Sequence, residues 1–188
     1  MYLYDEYVND IKYFLDTSPF ESTFQRVVEN ALKDTIKAEN IQLIISDKFP
    51  RCHTERHCVS AYKENETASP DLLLAKNFIY ANSKKKGELD KSLSKTEIYV
   101  YIEVKMPGEV KVKNGNIAYN AHDKNQIETY LNYSNNGRVI VTDLYTWVFY
   151  NCCCKNKEKI IRLYKDKKWD EKELVKLYDF LKKLEKDL

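Results

Sequence analysis

Apolar residues recur every three or four positions in residues 4–15 and again in residues 171–188. This spacing places them on one side of a helix and therefore predicts an amphipathic helix in each segment. The first apolar stripe contains Val8, Ile11, Phe14 and Leu15. The second contains Leu174, Leu177, Tyr178, Leu181 and Leu184.

Another helix has a start signal of its own. Ser18 is a favourable N-cap, Pro19 fits the first helical position, and Glu21 follows the cap by three residues, which is the spacing of a capping box. The apolar stripe that follows contains Phe24, Val28, Ala31 and Leu32. The sequence therefore predicts a second helix that begins directly after Ser18.

Short apolar runs bounded by turn-forming residues predict a series of β-strands after these helices. The last of them is expected to be an edge strand, and a helix is expected before the hairpin. The predicted elements are strands over 41–45, 69–75 and 97–106, a helix over 122–133, a hairpin over 138–150 interrupted near Asp143, and a strand over 159–164. This order predicts one α/β domain over residues 1–188, in which a central mixed β-sheet is flanked by helices.

Composition narrows the class of protein. The chain has 188 residues, of which 43% are hydrophobic and 32% charged, so it can bury a core and is unlike a disordered or low-complexity chain. Lys and Arg total 31 against 29 for Asp and Glu, which gives a net charge of +2 and excludes a polycationic coat protein. Any contact with nucleic acid must therefore come from a local basic patch.

The cysteines and the N-terminal residues predict a compartment. The five Cys include the consecutive Cys152, Cys153 and Cys154, which is unlike the disulfide framework of a secreted domain. The chain has neither the basic and apolar regions of a signal peptide nor an apolar stretch of the ~18 residues that a membrane span needs. These features predict a soluble, cytoplasmic protein that does not associate with a membrane.

The strand over 97–106 carries the most informative residues. Because side chains alternate between the two faces of a strand, one face is expected to hold Ile98, Val100, Ile102, Val104 and Met106, and the other Tyr99, Tyr101, Glu103 and Lys105. Glu103 and Lys105 thus project side by side. A charged pair at the end of an apolar strand is costly unless both groups have partners or a chemical role.

Asp71 follows Pro70 at the start of another apolar strand, so it can lie beside Glu103 if the two strands pair. Two adjacent carboxylates repel each other unless a cation lies between them. An incomplete cage of oxygen ligands suits Mg²⁺, which completes its shell with water and substrate phosphate. Lys105 could orient or deprotonate the attacking water and stabilise charge on the phosphate. The reaction class is metal-assisted phosphodiester hydrolysis.

These residues resemble the PD-(D/E)XK nuclease superfamily, which has the restriction-endonuclease-like fold. Pro70-Asp71 followed by Glu103-Val104-Lys105 is similar to its metal-binding motif, and Gln126 with Tyr130 is similar to the Q-x-x-x-Y element of RecB-like and restriction-enzyme nuclease domains. The resemblance extends from about residue 21 to residue 150. It implies an α-β-β-β-α-β core, with the helices over 4–15 and 171–188 as accessory elements.

The resemblance also implies roles for individual residues. Asp71, Glu103 and the backbone carbonyl of Val104 would bind Mg²⁺, for which Mn²⁺ can substitute. Asp71, Glu103, Lys105 and Gln126 would form the catalytic set. The pattern acidic-x-Lys also occurs elsewhere in this charged sequence, so a structural ion pair between Glu103 and Lys105 is the alternative interpretation.

Glu21 has two interpretations that the sequence leaves open. It lies on the same helical face as the apolar stripe, so it could point inward and add to the metal site, as a Glu on the preceding helix often does in the family. It could instead serve only the capping box with Ser18.

Several other polar clusters could bind ligands. Lys111, Lys113, Lys124 and Tyr130 are the predicted contacts with nucleic acid, whereas Lys84–Lys86 form either a solvated face or an additional contact. Cys52, His53, His57 and Cys58 either bind zinc or belong to an irregular polar loop, since their crowding is unlike the usual spacing of structural zinc ligands.

Together these features predict a Mg²⁺-dependent endonuclease that acts on DNA. The chain contains no pattern typical of a helix-turn-helix or a zinc-finger pair. Further domains or subunits of a restriction-modification system, or a homodimer, are therefore the expected sources of sequence recognition. The alternative from another class is a catalytically silent nucleic-acid-binding or assembly module that retains the nuclease fold.

Overall fold

The computed structural model describes residues 3–45, 61–63, 66–68, 70–78, 96–133, 138–151 and 156–186. Within these residues the helices are α1 (Tyr4–Thr17), α2 (Glu21–Thr35), α3 (Ala121–Tyr133) and α4 (Glu171–Lys186). None of these four is long and apolar enough to cross a lipid bilayer. The cysteine and histidine cluster at 52–58, the lysines at 84–86 and the cysteines at 152–154 lie outside the described residues.

Six strands form the central sheet, and three further strand pairs form small hairpins. The sheet consists of β1 (Gln42–Ile45), β4 (Leu72–Lys76), β5 (Glu97–Val104), β8 (Arg138–Thr142), β9 (Thr146–Asn151) and β10 (Asn156–Arg162). The hairpins pair β2 (Ala61–Lys63) with β3 (Glu66–Ala68), β6 (Lys111–Lys113) with β7 (Asn116–Ala118), and β11 (Tyr164–Lys165) with β12 (Lys168–Trp169).

The sheet is mixed, as the sequence predicts. Its strand order is β1-β4-β5-β8-β9-β10, and every neighbouring pair is antiparallel except β5 and β8. Parallel neighbours need a crossover connection, which α3 supplies between β5 and β8. The edge position predicted for the strand near residue 160 is confirmed.

Both faces of the sheet are buried. On one face, Leu72, Leu74 and Ile102 belong to a core that includes residues of α1, α2 and α4. On the other face, Leu73 and Tyr101 belong to a second core that includes residues of α3. Burial on both sides explains why β4 is a continuous apolar run rather than an alternating one.

The side-chain alternation expected along β5 is wrong at its first residues. Leu74 pairs with Val100, whereas Ala75 pairs with Ile98, so Tyr99 is an extra residue at a bulge. As a result, Ile98 packs against the core that contains Tyr101, and Tyr99 packs against the opposite core. The bulge lies at the far end of the strand from Glu103, so the predicted alternation still holds around the candidate site.

The predicted start of α2 is also wrong. The helix begins at Glu21 with Phe20 as its N-cap, and no side chain caps it. Ser18 contributes its backbone oxygen, which accepts a hydrogen bond from the N–H of Phe20 at 2.8 Å. Glu21 is thus the first helical residue, and its side chain is not used in a capping box.

Helix α1 contributes buried residues to the main core. The hydroxyl of Tyr7 donates a hydrogen bond to the carbonyl oxygen of Leu144 at 2.9 Å and accepts one from Nε1 of Trp147 at 3.1 Å. All three residues are fully buried. These contacts attach α1 to the turn between β8 and β9.

Asp143 organises that turn, where the sequence predicts an interruption. Its Oδ1 accepts hydrogen bonds from the N–H groups of Tyr145 and Thr146, and its Oδ2 from those of Gly108 and Val110. Burial raises the pKa of Asp143 to about 6, although these four donors oppose the shift. The carboxylate therefore joins the β8–β9 turn to the loop that follows Lys105.

Replacing Asp143 with alanine should lower the free energy of unfolding by about 2–3 kcal/mol, because buried N–H groups lose their acceptor. Urea denaturation monitored by circular dichroism measures this change. Asp179→Ala removes a carboxylate from an exposed position of α4 and should shift stability by less than about 0.5 kcal/mol. Equal midpoints for the two variants would contradict a stabilising role for Asp143.

Candidate active site

Asp71 lies at the start of β4, beside the end of β5. Its backbone N–H donates to the carbonyl oxygen of Ile102 at 3.0 Å, which continues the pairing of the two strands. Its Oδ2 accepts a hydrogen bond from the N–H of Val104 at 2.6 Å, and its Oδ1 accepts one from Nε2 of Gln25 at 2.8 Å. Donors from β5 and α2 therefore fix the orientation of this carboxylate.

Glu103 is buried near the end of β5, with 4% of its surface exposed. One carboxylate oxygen, Oε1, accepts a hydrogen bond from Nζ of Lys105 at 2.8 Å, and the other, Oε2, accepts one from the hydroxyl of Tyr130 at 3.0 Å. The predicted juxtaposition of Glu103 and Lys105 is thus an ion pair whose carboxylate is held from both sides.

Lys105 connects the strand to helix α3. Besides Glu103, its Nζ approaches Oδ1 of Asp123 at 3.1 Å and Oε1 of Gln126 at 3.4 Å. The side chain of Lys105 is 13% exposed, so it is not completely buried. Gln126, which the sequence places in the catalytic set, therefore lies within reach of Lys105.

Tyr130 does not lie where the sequence predicts a nucleic-acid contact. It is fully buried, its ring stacks on that of Tyr101 with centroids 5.3 Å apart, and its hydroxyl binds Glu103. Gln126 and Tyr130 are separated by one helical turn, so both face the end of β5. The position of Tyr130 makes it a support for Glu103, out of reach of a DNA strand at the surface.

Replacing Tyr130 with phenylalanine should lower the free energy of unfolding by about 1–2 kcal/mol, because the buried Glu103 loses a hydrogen-bond donor. Tyr13→Phe is a suitable control, since Tyr13 is 61% exposed on α1 and its loss of a hydroxyl should change little. Urea midpoints for both variants decide the matter. Indistinguishable midpoints would mean that the Tyr130 hydroxyl does not stabilise Glu103.

Glu21 is near the same group of charges, although its side chain is exposed. Partial desolvation raises its pKa, the positive charge of Lys105 opposes this shift, and the negative charge of Glu103 adds to it. Its electrostatic coupling to both residues keeps open the prediction that Glu21 adds to a metal site. The alternative role in a capping box with Ser18 is excluded by the start of α2.

Among the described residues, the site contains more carboxyl groups than ammonium groups. Glu103 and Asp123 contact the ammonium of Lys105, and Asp71 lies close enough for the charge of Lys105 to affect its pKa. Burial raises the pKa of Asp71 to about 8, and the charge of Glu103 adds to the shift, while the N–H of Val104 opposes it. Burial also raises the pKa of Glu103, against the effect of Lys105 and Tyr130.

These shifts predict that the metal-free protein loses stability as pH rises. The carboxyl of Asp71 ionises near its ordinary pKa of 3.8 in the unfolded chain and near 8 in the folded protein. Between these values the folded state binds more protons, so the stabilising contribution is complete below about pH 4 and is lost as pH rises through about 8. Melting temperatures in EDTA from about pH 5 to about pH 9 should fall, and a flat profile would contradict the raised pKa.

The donor set around Asp71 and Glu103 fits a divalent cation with hard oxygen ligands. Carboxylate oxygens are hard ligands of the kind that Mg²⁺ prefers. Across the described ranges, no three His, Cys, Asp or Glu side chains form a complete cage.

The three lysines predicted to contact nucleic acid lie on two elements. Lys111 and Lys113 are exposed on β6, in the hairpin that follows the loop after Lys105. Lys124 is exposed on α3, where its Nζ lies 3.8 Å from Oε1 of Glu128. All three are accessible to a ligand, and their contact with nucleic acid stays a prediction.

Two site residues were missed by the sequence reasoning. Gln25 lies one helical turn after Glu21, and the signal that could have identified it is a Gln within the apolar stripe of α2. Asp123 lies three residues before Gln126 and therefore on the same helical face. Neither residue belongs to the motif that the sequence resembles. No family model matches this chain, and no curated protein and no solved structure matches it either.

Proposed function

We propose that this protein is a Mg²⁺-dependent endonuclease that hydrolyses DNA phosphodiester bonds. The observation that carries the proposal is the convergence of Asp71 and Glu103 from neighbouring antiparallel strands, with Nζ of Lys105 at 2.8 Å from Glu103. The excess of carboxylates around one ammonium favours a divalent cation, because the cation would relieve their repulsion.

The order of the elements supports a restriction-endonuclease-like core. When the small hairpins β2–β3 and β6–β7 are left out, the elements α2, β1, β4, β5, α3 and β8 follow the α-β-β-β-α-β order that the resemblance to PD-(D/E)XK nucleases implies. The first three of these strands pair antiparallel and the fourth pairs parallel to the third. In this proposal the two carboxylates lie on adjacent central strands and Gln126 on the crossover helix.

Each residue of the site has a role in this reaction. Asp71, Glu103 and the carbonyl of Val104 would hold Mg²⁺, which supplies a Lewis acid for the phosphate when bound. The ammonium of Lys105 orients the attacking water and stabilises negative charge that develops on the phosphate. Gln126 and Tyr130 restrain Lys105 and Glu103, respectively, so that these groups keep their geometry.

Contact with DNA is assigned to the exposed lysines on β6 and α3. Lys111, Lys113 and Lys124 provide local positive charge, which a protein of net charge +2 needs in order to bind a polyanion. Sequence recognition is assigned to further domains or subunits of a restriction-modification system, or to a second copy of the chain.

Cleavage of supercoiled plasmid tests the proposal. The protein should nick or linearise plasmid in Mg²⁺ or Mn²⁺, and EDTA should abolish the reaction. Asp71→Asn and Glu103→Gln should each remove activity, since each loses an ionised ligand. Activity that survives in EDTA, or in both variants, would contradict a metal site at these residues.

One observation favours a second function, that of a catalytically silent nucleic-acid-binding or assembly module. Lys105 contacts three acceptors and both oxygens of Glu103 have donors, so this network is complete without a metal. A silent module predicts binding of DNA without cleavage in Mg²⁺ or Mn²⁺, on supercoiled, linear and single-stranded substrates. Fluorescence anisotropy alongside the cleavage assay distinguishes the two functions.

A further inference from the structure

The ammonium of Lys105 lies among three acceptors, which matches its three N–H donors. Oε1 of Glu103 is at 2.8 Å and comes from the same strand. Oδ1 of Asp123 is at 3.1 Å and Oε1 of Gln126 at 3.4 Å, and both come from α3. The two partners on α3 therefore hold Lys105 from the side opposite to its own strand.

The first turn of α3 fixes the position of Asp123. Oδ1 of Asn120 accepts a hydrogen bond from the N–H of Asp123 at 2.8 Å, just before the helix begins at Ala121. A carboxylate is also favoured in the first helical turn by the helix dipole. The Asp123 side chain is 18% exposed, so it contacts Lys105 in a partly desolvated environment where their attraction is strengthened.

A divalent cation on Asp71 and Glu103 would change the balance of forces on Lys105. The cation attracts the Glu103 carboxylate and repels the ammonium, so the pair between Glu103 and Lys105 is weakened. Asp123 is a carboxylate outside the proposed ligand set, and it can keep its contact with Lys105. The negative charge of Asp123 then stabilises the ammonium of Lys105 in place of the Glu103 carboxylate, which would bind the metal.

We propose that Asp123 is a positioning residue, which holds the ammonium of Lys105 against α3 when Glu103 binds the metal. This inference rests on the proposed nuclease function for its effect on the reaction, but the contact itself can be measured without DNA. Asp123 acts only through Lys105 in this proposal and touches neither the metal nor the phosphate.

Steady-state cleavage of a DNA oligonucleotide in Mg²⁺ tests the effect on the reaction. Asp123→Ala should lower kcat by about 10- to 100-fold, because a misplaced Lys105 no longer meets the phosphate. KM should change by less than about threefold, since no contact with DNA is removed. Asp123→Asn keeps an oxygen acceptor without the charge and should restore part of the lost kcat.

Glu128→Gln is the matched control for loss of one negative charge on α3. The Glu128 side chain is 48% exposed and pairs with Lys124 rather than with Lys105. Its kcat should stay within about twofold of the parent, as expected for a surface charge. If Asp123→Ala and Glu128→Gln have the same kcat as an active parent, the positioning role is wrong.

Nuclear magnetic resonance of the lysine ammonium groups tests the contact directly. In saturating Mg²⁺, the ammonium protons of Lys105 should exchange slowly with water, so that their signal is observable. The signal is assigned to Lys105 by its absence from the spectrum of Lys105→Arg. The signal should disappear in Asp123→Ala and persist in Glu128→Gln. A slow signal that survives in Asp123→Ala overturns the inference. If the parent does not cleave DNA, the proposed function fails, and this measurement still decides whether Asp123 holds Lys105.

Discussion

Lys105→Ala is expected to lower the rate of DNA cleavage by about 100- to 1,000-fold, the usual cost of removing one group that stabilises transition-state charge. The variant keeps both proposed metal ligands, so its affinity for Mg²⁺ should persist. The lower rate of cleavage should therefore appear as a lower kcat. The assay is cleavage of plasmid and of a short duplex at saturating Mg²⁺.

Lys182→Ala provides the comparison, because Lys182 is exposed on α4 and its removal tests only the loss of one positive charge. Its cleavage rate should equal that of the parent within about twofold. The melting temperature of Lys105→Ala separates loss of chemistry from loss of fold. A folded Lys105→Ala protein that cleaves at the rate of the parent would mean that Lys105 is only a structural partner of Glu103.

Asp71→Asn is expected to raise the melting temperature of the metal-free protein at pH above about 8 and to remove its response to Mg²⁺. The substitution removes a buried charge that Glu103 repels. The amide of Gln25 can rotate to present its oxygen to the new side chain, so the hydrogen bonds with Gln25 and Val104 can be kept. In the parent, metal binding should raise the free energy of unfolding by about 2.7 kcal/mol when the concentration of free ion is about a hundred times its Kd.

Melting curves in Mg²⁺, Mn²⁺ and EDTA measure both effects without a DNA substrate. Glu103→Gln should also lose the metal response, whereas Asp179→Asn, at an exposed position of α4, should behave like the parent. A metal-dependent shift that persists in both Asp71→Asn and Glu103→Gln would mean that the cation binds elsewhere. A lower metal-free melting temperature for Asp71→Asn would mean that Asp71 serves mainly as a structural acceptor.

The main elements of the fold can be predicted from the sequence because each has a strong periodic pattern. Helix α4 has the five predicted apolar residues buried, and β4 is the continuous apolar run of a strand covered on both faces. The start of α2 could not be predicted in the same way. Ser18, Pro19 and Glu21 have the composition of a cap, but the chain turns into the helix two residues later, at Phe20.

The bulge at Tyr99 marks another limit of pattern reasoning. Alternation along one strand predicts faces correctly only if the partner strand has no extra or missing residue. Leu74 and Ala75 are consecutive, yet their partners Val100 and Ile98 are two residues apart. The register between β4 and β5 depends on how the two strands pair, so it cannot be predicted from the sequence pattern of either strand alone.

Some residues of the candidate site could likewise be predicted from the sequence, whereas others could not. Glu103 and Lys105 could be placed side by side because Lys105 directly follows β5 and is two residues after Glu103, a relationship set by local geometry. Gln25 and Asp123 approach the site from two helices, and their contacts depend on how those helices pack. Tyr130 is a predicted contact with nucleic acid, but the packing of α3 on the sheet buries it.

The contacts of Tyr7 have a consequence for the order of folding. Its hydroxyl binds Leu144, which is 137 residues later in the chain, and Trp147, which is 140 residues later. During synthesis, which proceeds from the N-terminus, α1 can pack on α2 early, but its hydrogen bonds to the β8–β9 turn cannot form until that turn has left the ribosome. Contacts of such sequence separation slow folding, since a long loop must close first. The buried hydroxyl of Tyr7 therefore gains these two partners only after β8 and the start of β9 have been synthesised.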